Sequence, residues 1–105
     1  MNETSQVPIE AVSVKLVGVL GSAAGNRELV LPILSDSTVQ EFVSALLKTV
    51  DKKFFRDILV DPGTEDPRPN VIILLNDQDC NVFKGLKTKI EPGTRVTIIP
   101  VAHGG

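Results

Sequence analysis

The stretch from Thr38 to Val50 restricts the fold more than any other part of the chain. Val39, Phe42, Val43, Leu46, Leu47 and Val50 recur at helical spacing, so a helix gathers them into one continuous apolar stripe. Thr38 and Glu41 fit a capping box, in which the Thr hydroxyl and the Glu carboxylate each satisfy an orphan backbone N–H. Asp36 and Ser37 add polar and negative groups at the end where the helix dipole favours them. A helix with a single apolar stripe must bury it against a second layer.

The rest of the chain supplies that layer. In the segment Ile9–Leu20, Val12, Val14 and Leu16 alternate with Ser13 and Lys15, the period of a half-buried strand. Residues 21–26, Gly-Ser-Ala-Ala-Gly-Asn, read as a turn, and Arg27–Leu34 as the returning strand of a hairpin with a longer loop. A short second helix is predicted over Lys52–Leu59. Asp61–Asn70 holds Pro62, Pro67, Pro69 and Gly63, which excludes regular structure and makes it a surface loop. Val71–Leu75 is an unbroken apolar run, predicted to be a strand covered on both faces or nearly so and ended by Asn76-Asp77. Residues 79–90 read as irregular, anchored by Val82, Phe83, Leu86 and Ile90. Glu91-Pro92-Gly93-Thr94 fits a type II turn, and Arg95–Val101 is the last strand. The expected architecture is an α+β roll, one main helix on one face of a mixed sheet of four to five strands. It spans residues 9–101, between a flexible polar arm at 1–8 and a flexible tail at 102–105.

Composition bears on what such a roll can do. A chain of 105 residues suits one domain. Trp and Tyr are absent and only four Phe are present, so the core must be aliphatic and the stacking platforms of single-strand binders are missing. A formal net charge of −2 gives no field for a phosphate backbone, and direct nucleic-acid binding is not expected. The single cysteine, Cys80, excludes an internal disulfide and points to a reducing, cytoplasmic setting. The polar N-terminus is unlike a signal peptide, and no apolar run is long enough to span a bilayer.

Catalytic signatures are sparse. There is no Cys/His cluster with zinc spacing, no phosphate loop and no nucleophile elbow. Cys80 lies among carboxylates in Asp77-Gln78-Asp79-Cys80-Asn81, which raises a thiol pKa and disfavours reactivity. It reads as a small, partly buried residue. His103, the only histidine, sits on a tail where it lacks the pre-organisation catalysis needs; its functional reading is a contact made when a partner grips that tail. The final pair, Gly104-Gly105, is the strongest signal. It leaves almost directly from the strand Val96-Thr97-Ile98-Ile99, so it projects a short, fixed distance from a rigid body. Without Cβ atoms it can thread a narrow channel. The Gly105 carboxylate is unhindered and suits attack on the α-phosphate of ATP, after which the acyl-adenylate can accept sulfur or an amine. In the last strand, Val96 and Ile98 are expected to face the helix. Ile99 would then be exposed on the open face near the tail, as a partner-binding residue.

These residues resemble the β-grasp, ubiquitin-like superfamily: strand, strand, helix, strand and strand ending in Gly-Gly. Residues 71–105 are most similar to the ubiquitin-related modifier family of sulfur carriers. Val71-Ile72-Ile73-Leu74-Leu75-Asn76-Asp77 is similar to that family's apolar strand ended by Asn-Asp; Asp79 also matches, and His103-Gly104-Gly105 is like its His-Gly-Gly tail. Cys80 departs from the Trp often found there. Lys84-Gly85-Leu86 through Glu91-Pro92-Gly93 also resembles the small subunit of molybdopterin synthase and the thiamine sulfur carrier.

The resemblance implies a monomeric, cytoplasmic sulfur carrier and protein modifier that is not itself an enzyme. It binds no cofactor, and ATP is used by a partner adenylyltransferase that activates Gly105, recognising the tail through His103 and Gly104. A thiocarboxylate then passes sulfur, through a sulfurtransferase or thiolating enzyme, to a wobble uridine of transfer RNA. Otherwise a target-protein lysine captures the acyl group in an isopeptide bond. No residue follows Gly105, so no processing step is expected. The alternatives are the sulfur-carrying subunit of molybdopterin synthase and a β-grasp interaction module with an idle tail.

Overall fold

The computed structural model describes residues 9–101. Five strands, β1 (Ile9–Leu16), β2 (Glu28–Leu34), β3 (Val71–Leu75), β4 (Gln78–Asp79) and β5 (Arg95–Pro100), form one sheet in the order β2-β1-β5-β3-β4. β1 and β5 run parallel at its centre and every other pair is antiparallel. Three helices accompany it: α1 (Val19–Ala24), α2 (Val39–Thr49) and α3 (Lys53–Leu59). A mixed sheet carrying one main helix is the β-grasp roll expected from the sequence.

α2 forms as its pattern dictates. Glu41 N–H donates to Thr38 Oγ1 at 3.2 Å, and Thr38 N–H donates to Glu41 Oε1 at 2.9 Å, which closes the capping box. Val39, Phe42, Val43, Leu46 and Leu47 are all buried. They meet the inward residues Val12, Val14, Leu16, Leu31, Ile33, Val71, Ile73, Val96 and Ile98 in one aliphatic core. α3 adds Phe55 and Leu59 to it.

Three readings need correction. The strand expected to reach Leu20 stops at Leu16, and the predicted turn at 21–26 is largely helix. Gly18 adopts φ 60° and turns the chain off the sheet; Gly25, at φ 86°, ends α1 with its N–H on the Gly21 carbonyl at 2.9 Å. A Cβ on Gly21 would stand 2.9 Å from the Leu16 carbonyl oxygen, so glycine lets α1 lie against the strand end while Leu20 enters the core.

Second, β3 is less covered on its outward face than expected. Val71, Ile73 and Leu75 are buried, but Ile72 is exposed and Leu74 only half-buried. Third, Val82 and Phe83 are exposed rather than anchors. Buried Cys80 and Ile90, with half-buried Leu86, hold that segment instead.

Two turns explain residues that looked like mere terminators. Asn76 and Asp77 take φ 49° and 72° between paired Leu75 and Gln78. This two-residue hairpin needs consecutive positive φ values, which Asn and Asp tolerate best after glycine. Gly93 at φ 80° and the Thr94 N–H on the Glu91 carbonyl fit the expected type II turn.

Candidate functional site: the root of the C-terminal tail

The sequence places the chemistry on His103, Gly104 and Gly105, which lie outside the described residues together with Ala102. The structure defines the platform from which they leave. Backbone pairing on both sides fixes the end of β5. Val17 N–H donates to the Ile98 carbonyl at 3.0 Å, Val71 pairs with Pro100, and Val101 N–H donates to the Asn70 carbonyl at 2.9 Å. The Val101 bond is the last rung on this side among the described residues. Past it, four residues can extend at most about 14 Å.

Asn70 is itself held. Its side-chain amide donates to the Ile58 carbonyl at 3.2 Å and to the Asp57 carbonyl at 3.4 Å, groups that the C-terminus of α3 leaves without helical partners. The proline-rich loop before it is ordered by its own polar groups. Asp61 Oδ2 accepts from Thr64 N–H and Oγ1 at 3.2 and 3.0 Å, and Arg56 pairs with Glu65 at 2.7 Å. Arg68 grips Asp66 with Nε and a terminal nitrogen. The Arg68 side-chain hydrogen bond holds the Asp66 carboxyl below the usual carboxylate range, against a smaller opposing effect of burial. Sequence reasoning saw a loop here, but not that it secures the tail's point of exit.

Ile99 lies on the open face of the sheet, as expected, because Val96 and Ile98 are fully buried beneath α2. It is half-buried rather than exposed. Its cross-strand partner Ile72 shields it and is itself 38% exposed. Leu74 and Thr97, the next cross-strand pair on that face, are half-buried. The apolar group beside the tail root is therefore Ile72 with Ile99. Sequence reasoning missed Ile72 because an unbroken apolar run does not show which face lacks a cover.

Cys80 is 2% exposed, and its thiol pKa is raised, by burial first and by the Asp79 charge second. The direction matches the expectation from the neighbouring carboxylates, but burial is the larger cause. Among the described residues, no group of His, Cys, Asp and Glu could hold a metal ion, and no helix is long and apolar enough to cross a membrane.

With this geometry in hand, the comparisons with known proteins are consistent. The model of the ThiS family matches residues 14–105. Ubiquitin-related modifier 1 of Schizosaccharomyces pombe is 26% identical over 90% of this chain and 99% of its own length. The solution structure of Urm1 from Trypanosoma brucei superposes with a TM-score of 0.71 at 28% identity, covering 92% of this chain and 97% of that one. Small archaeal modifier protein 1 from Methanosarcina acetivorans shares the fold, with a TM-score of 0.77 at 24% identity over 93% of this chain and 99% of its own.

Proposed function

The chain belongs to the ThiS family of ubiquitin-like sulfur carriers, and on that premise we propose that its working group is the Gly105 carboxylate. A partner enzyme adenylates this carboxylate with ATP, releasing pyrophosphate. The outer sulfur of an enzyme-bound persulfide attacks the acyl carbon and expels AMP. A second enzyme thiol then cleaves the resulting acyl disulfide, becoming part of a disulfide itself and leaving a thiocarboxylate on this chain. The sulfur passes through a thiolating enzyme to a wobble uridine of transfer RNA, or a target lysine captures the activated carbonyl as an isopeptide. In either branch this chain supplies the acyl group and a docking face, while partners supply the catalytic groups.

The observation that carries this reading is the anchored root. A carboxylate inside another protein's active site must arrive with its distance set, because near-attack geometry fails with misplacements of about 1 Å. The Val101–Asn70 bond and the flanking sheet hydrogen bonds fix the origin of that distance. Gly104 and Gly105 add no side-chain bulk along the channel, and His103 is a contact for the enzyme that grips the tail. Ile99 with Ile72 provides apolar surface next to the root, where the same enzyme would close over it.

The test is intact mass after incubation with an activating enzyme, ATP and a sulfur donor. Replacement of one oxygen by sulfur, localised to the C-terminal peptide, is the expected result. A mass that stays unchanged while a known carrier is converted in parallel overturns the reading. Supplying transfer RNA, a lysine-bearing acceptor and a pterin precursor in separate reactions then distinguishes the acceptors.

A further inference from the structure

At the other end of β5 the surface has a different character. Lys84, Lys87 and Lys89 line a cavity of about 540 Å³ whose apolar wall includes Phe83 and Leu75. All three lysines are exposed. Among the described residues none of them enters an ion pair, whereas Lys53, Arg56, Arg68 and Arg95 do. From Cys80 to Ile90 the chain has no carboxylate, although the protein as a whole carries a net charge of −2. Phe83 is 49% exposed and its neighbour Val82 is 70% exposed; of the other phenylalanines, Phe54 is exposed on α3 and Phe42 and Phe55 are wholly buried. Isolated exposed apolar side chains are ordinary. An aromatic ring in a cavity wall, ringed by unpaired cations, is a surface with a defined complement.

The segment is also pre-organised. Phe83 N–H donates to the Cys80 carbonyl at 3.0 Å, Lys84 N–H to Thr88 Oγ1 at 2.9 Å, and Lys87 N–H to the Lys84 carbonyl at 3.1 Å. Val39 N–H on the Thr88 carbonyl ties it to the start of α2. A surface already fixed by its own hydrogen bonds loses less entropy when a partner binds.

We propose that this cavity is a docking site for a short acidic segment of a partner protein, an extended peptide whose carboxylates meet Lys84, Lys87 and Lys89 while an apolar side chain packs on Phe83. A nucleic acid fits less well, because Glu91 lines the same cavity and would repel a continuing phosphate backbone, whereas a peptide places its charges intermittently. Thr94, just before β5, lines the cavity, and the tail leaves after Pro100 at the far end. The strand between spans about 20 Å. A partner bound here leaves the tail free to enter a second protein. The site is independent of the Gly105 chemistry, so either proposal can fail alone.

The test is fluorescence anisotropy of the full chain with a fluorescein-labelled peptide in which Asp and Glu flank a pair of leucines. The controls are the same peptide with Asn and Gln for the acids, and a labelled single-stranded RNA. Saturable binding of the acidic peptide is expected, weakened by added salt and by about tenfold or more in Lys84→Gln/Lys87→Gln/Lys89→Gln. Phe83→Ser should weaken it with the charges intact, and deletion of Gly104-Gly105 should leave it unchanged. No saturation by about 1 mM, equal binding of the neutral peptide, full binding by the lysine variant, or tighter binding of the RNA would each overturn the proposal.

Discussion

The two faces of the sheet are made by the same strands with the same alternation, yet they carry different duties. On the covered face, Val12, Val14, Leu31, Val96 and Ile98 meet α2 and are almost wholly buried. On the open face, Ser13, Lys15 and Val30 are exposed, while Ile72, Leu74, Thr97 and Ile99 are exposed or half-buried. One face selects the fold, since slipping a strand by one residue would turn its apolar set to water. The other is free to vary in chemistry without loss of the core. Edge strand β2 shows the same division within its backbone. The Leu16 N–H bonds to the Arg27 carbonyl, and in this register Pro32 points its ring nitrogen outward, where it removes a donor from the open edge and discourages pairing with another chain.

The contrast is tested most severely at the core. Leu46→Ala should cost about 2–5 kcal/mol as a fully buried truncation, read from the denaturant midpoint at constant m. An unchanged midpoint would remove α2 from its place on the sheet. Adjacent residues of one strand give the next test. Ile98→Ala should cost about 2–5 kcal/mol, and Ile99→Ala only about 1 kcal/mol. Ile99→Asp should weaken activation by the partner enzyme with the fold intact. Equal costs at 98 and 99 would dissolve the distinction between the faces.

Smaller effects come from local polar groups. Thr38→Ala breaks the capping box and should cost about 1 kcal/mol in the same denaturation experiment. The pair Asp66–Arg68 sits in the loop that leads to the tail root. Asp66 has a depressed pKa in the folded state, so the stability it contributes is present above its unfolded value of about 3.9 and is lost as pH falls through the folded value. Both side chains retain some exposure, so solvent screens the pair and the effect is small. Arg68→Gln should therefore lower thermal stability slightly at neutral pH, and the difference from the parent should vanish in acid. A difference that grows on acidification would contradict this assignment.

What could be read from sequence follows the range of the forces involved. α2 was legible because its stripe and its cap are both local. The last strand was legible by alternation, and Gly93 by turn chemistry. α1 was not, because a six-residue helix is too short to show a period, and it depends on Leu20 reaching a core that only the fold creates. Residues Val82 and Phe83 are apolar, but nothing local shows that the fold leaves them outside. The candidate chemistry at His103, Gly104 and Gly105 was read from residue type and resemblance. Asn70 could not be found that way, since its role is a backbone carbonyl brought beside Val101 by tertiary structure.

In the proposed mechanism every step depends on the Gly105 carboxylate, and deleting Gly105 tests that dependence. ATP–pyrophosphate exchange catalysed by the cognate activating enzyme should be abolished. Removing one residue withdraws the carboxylate by up to about 3.6 Å from the place where it must react. The melting temperature should remain almost unchanged, because a terminal residue makes few native contacts. Exchange that persists at the parent rate in the deletion variant would place the working group elsewhere in the chain.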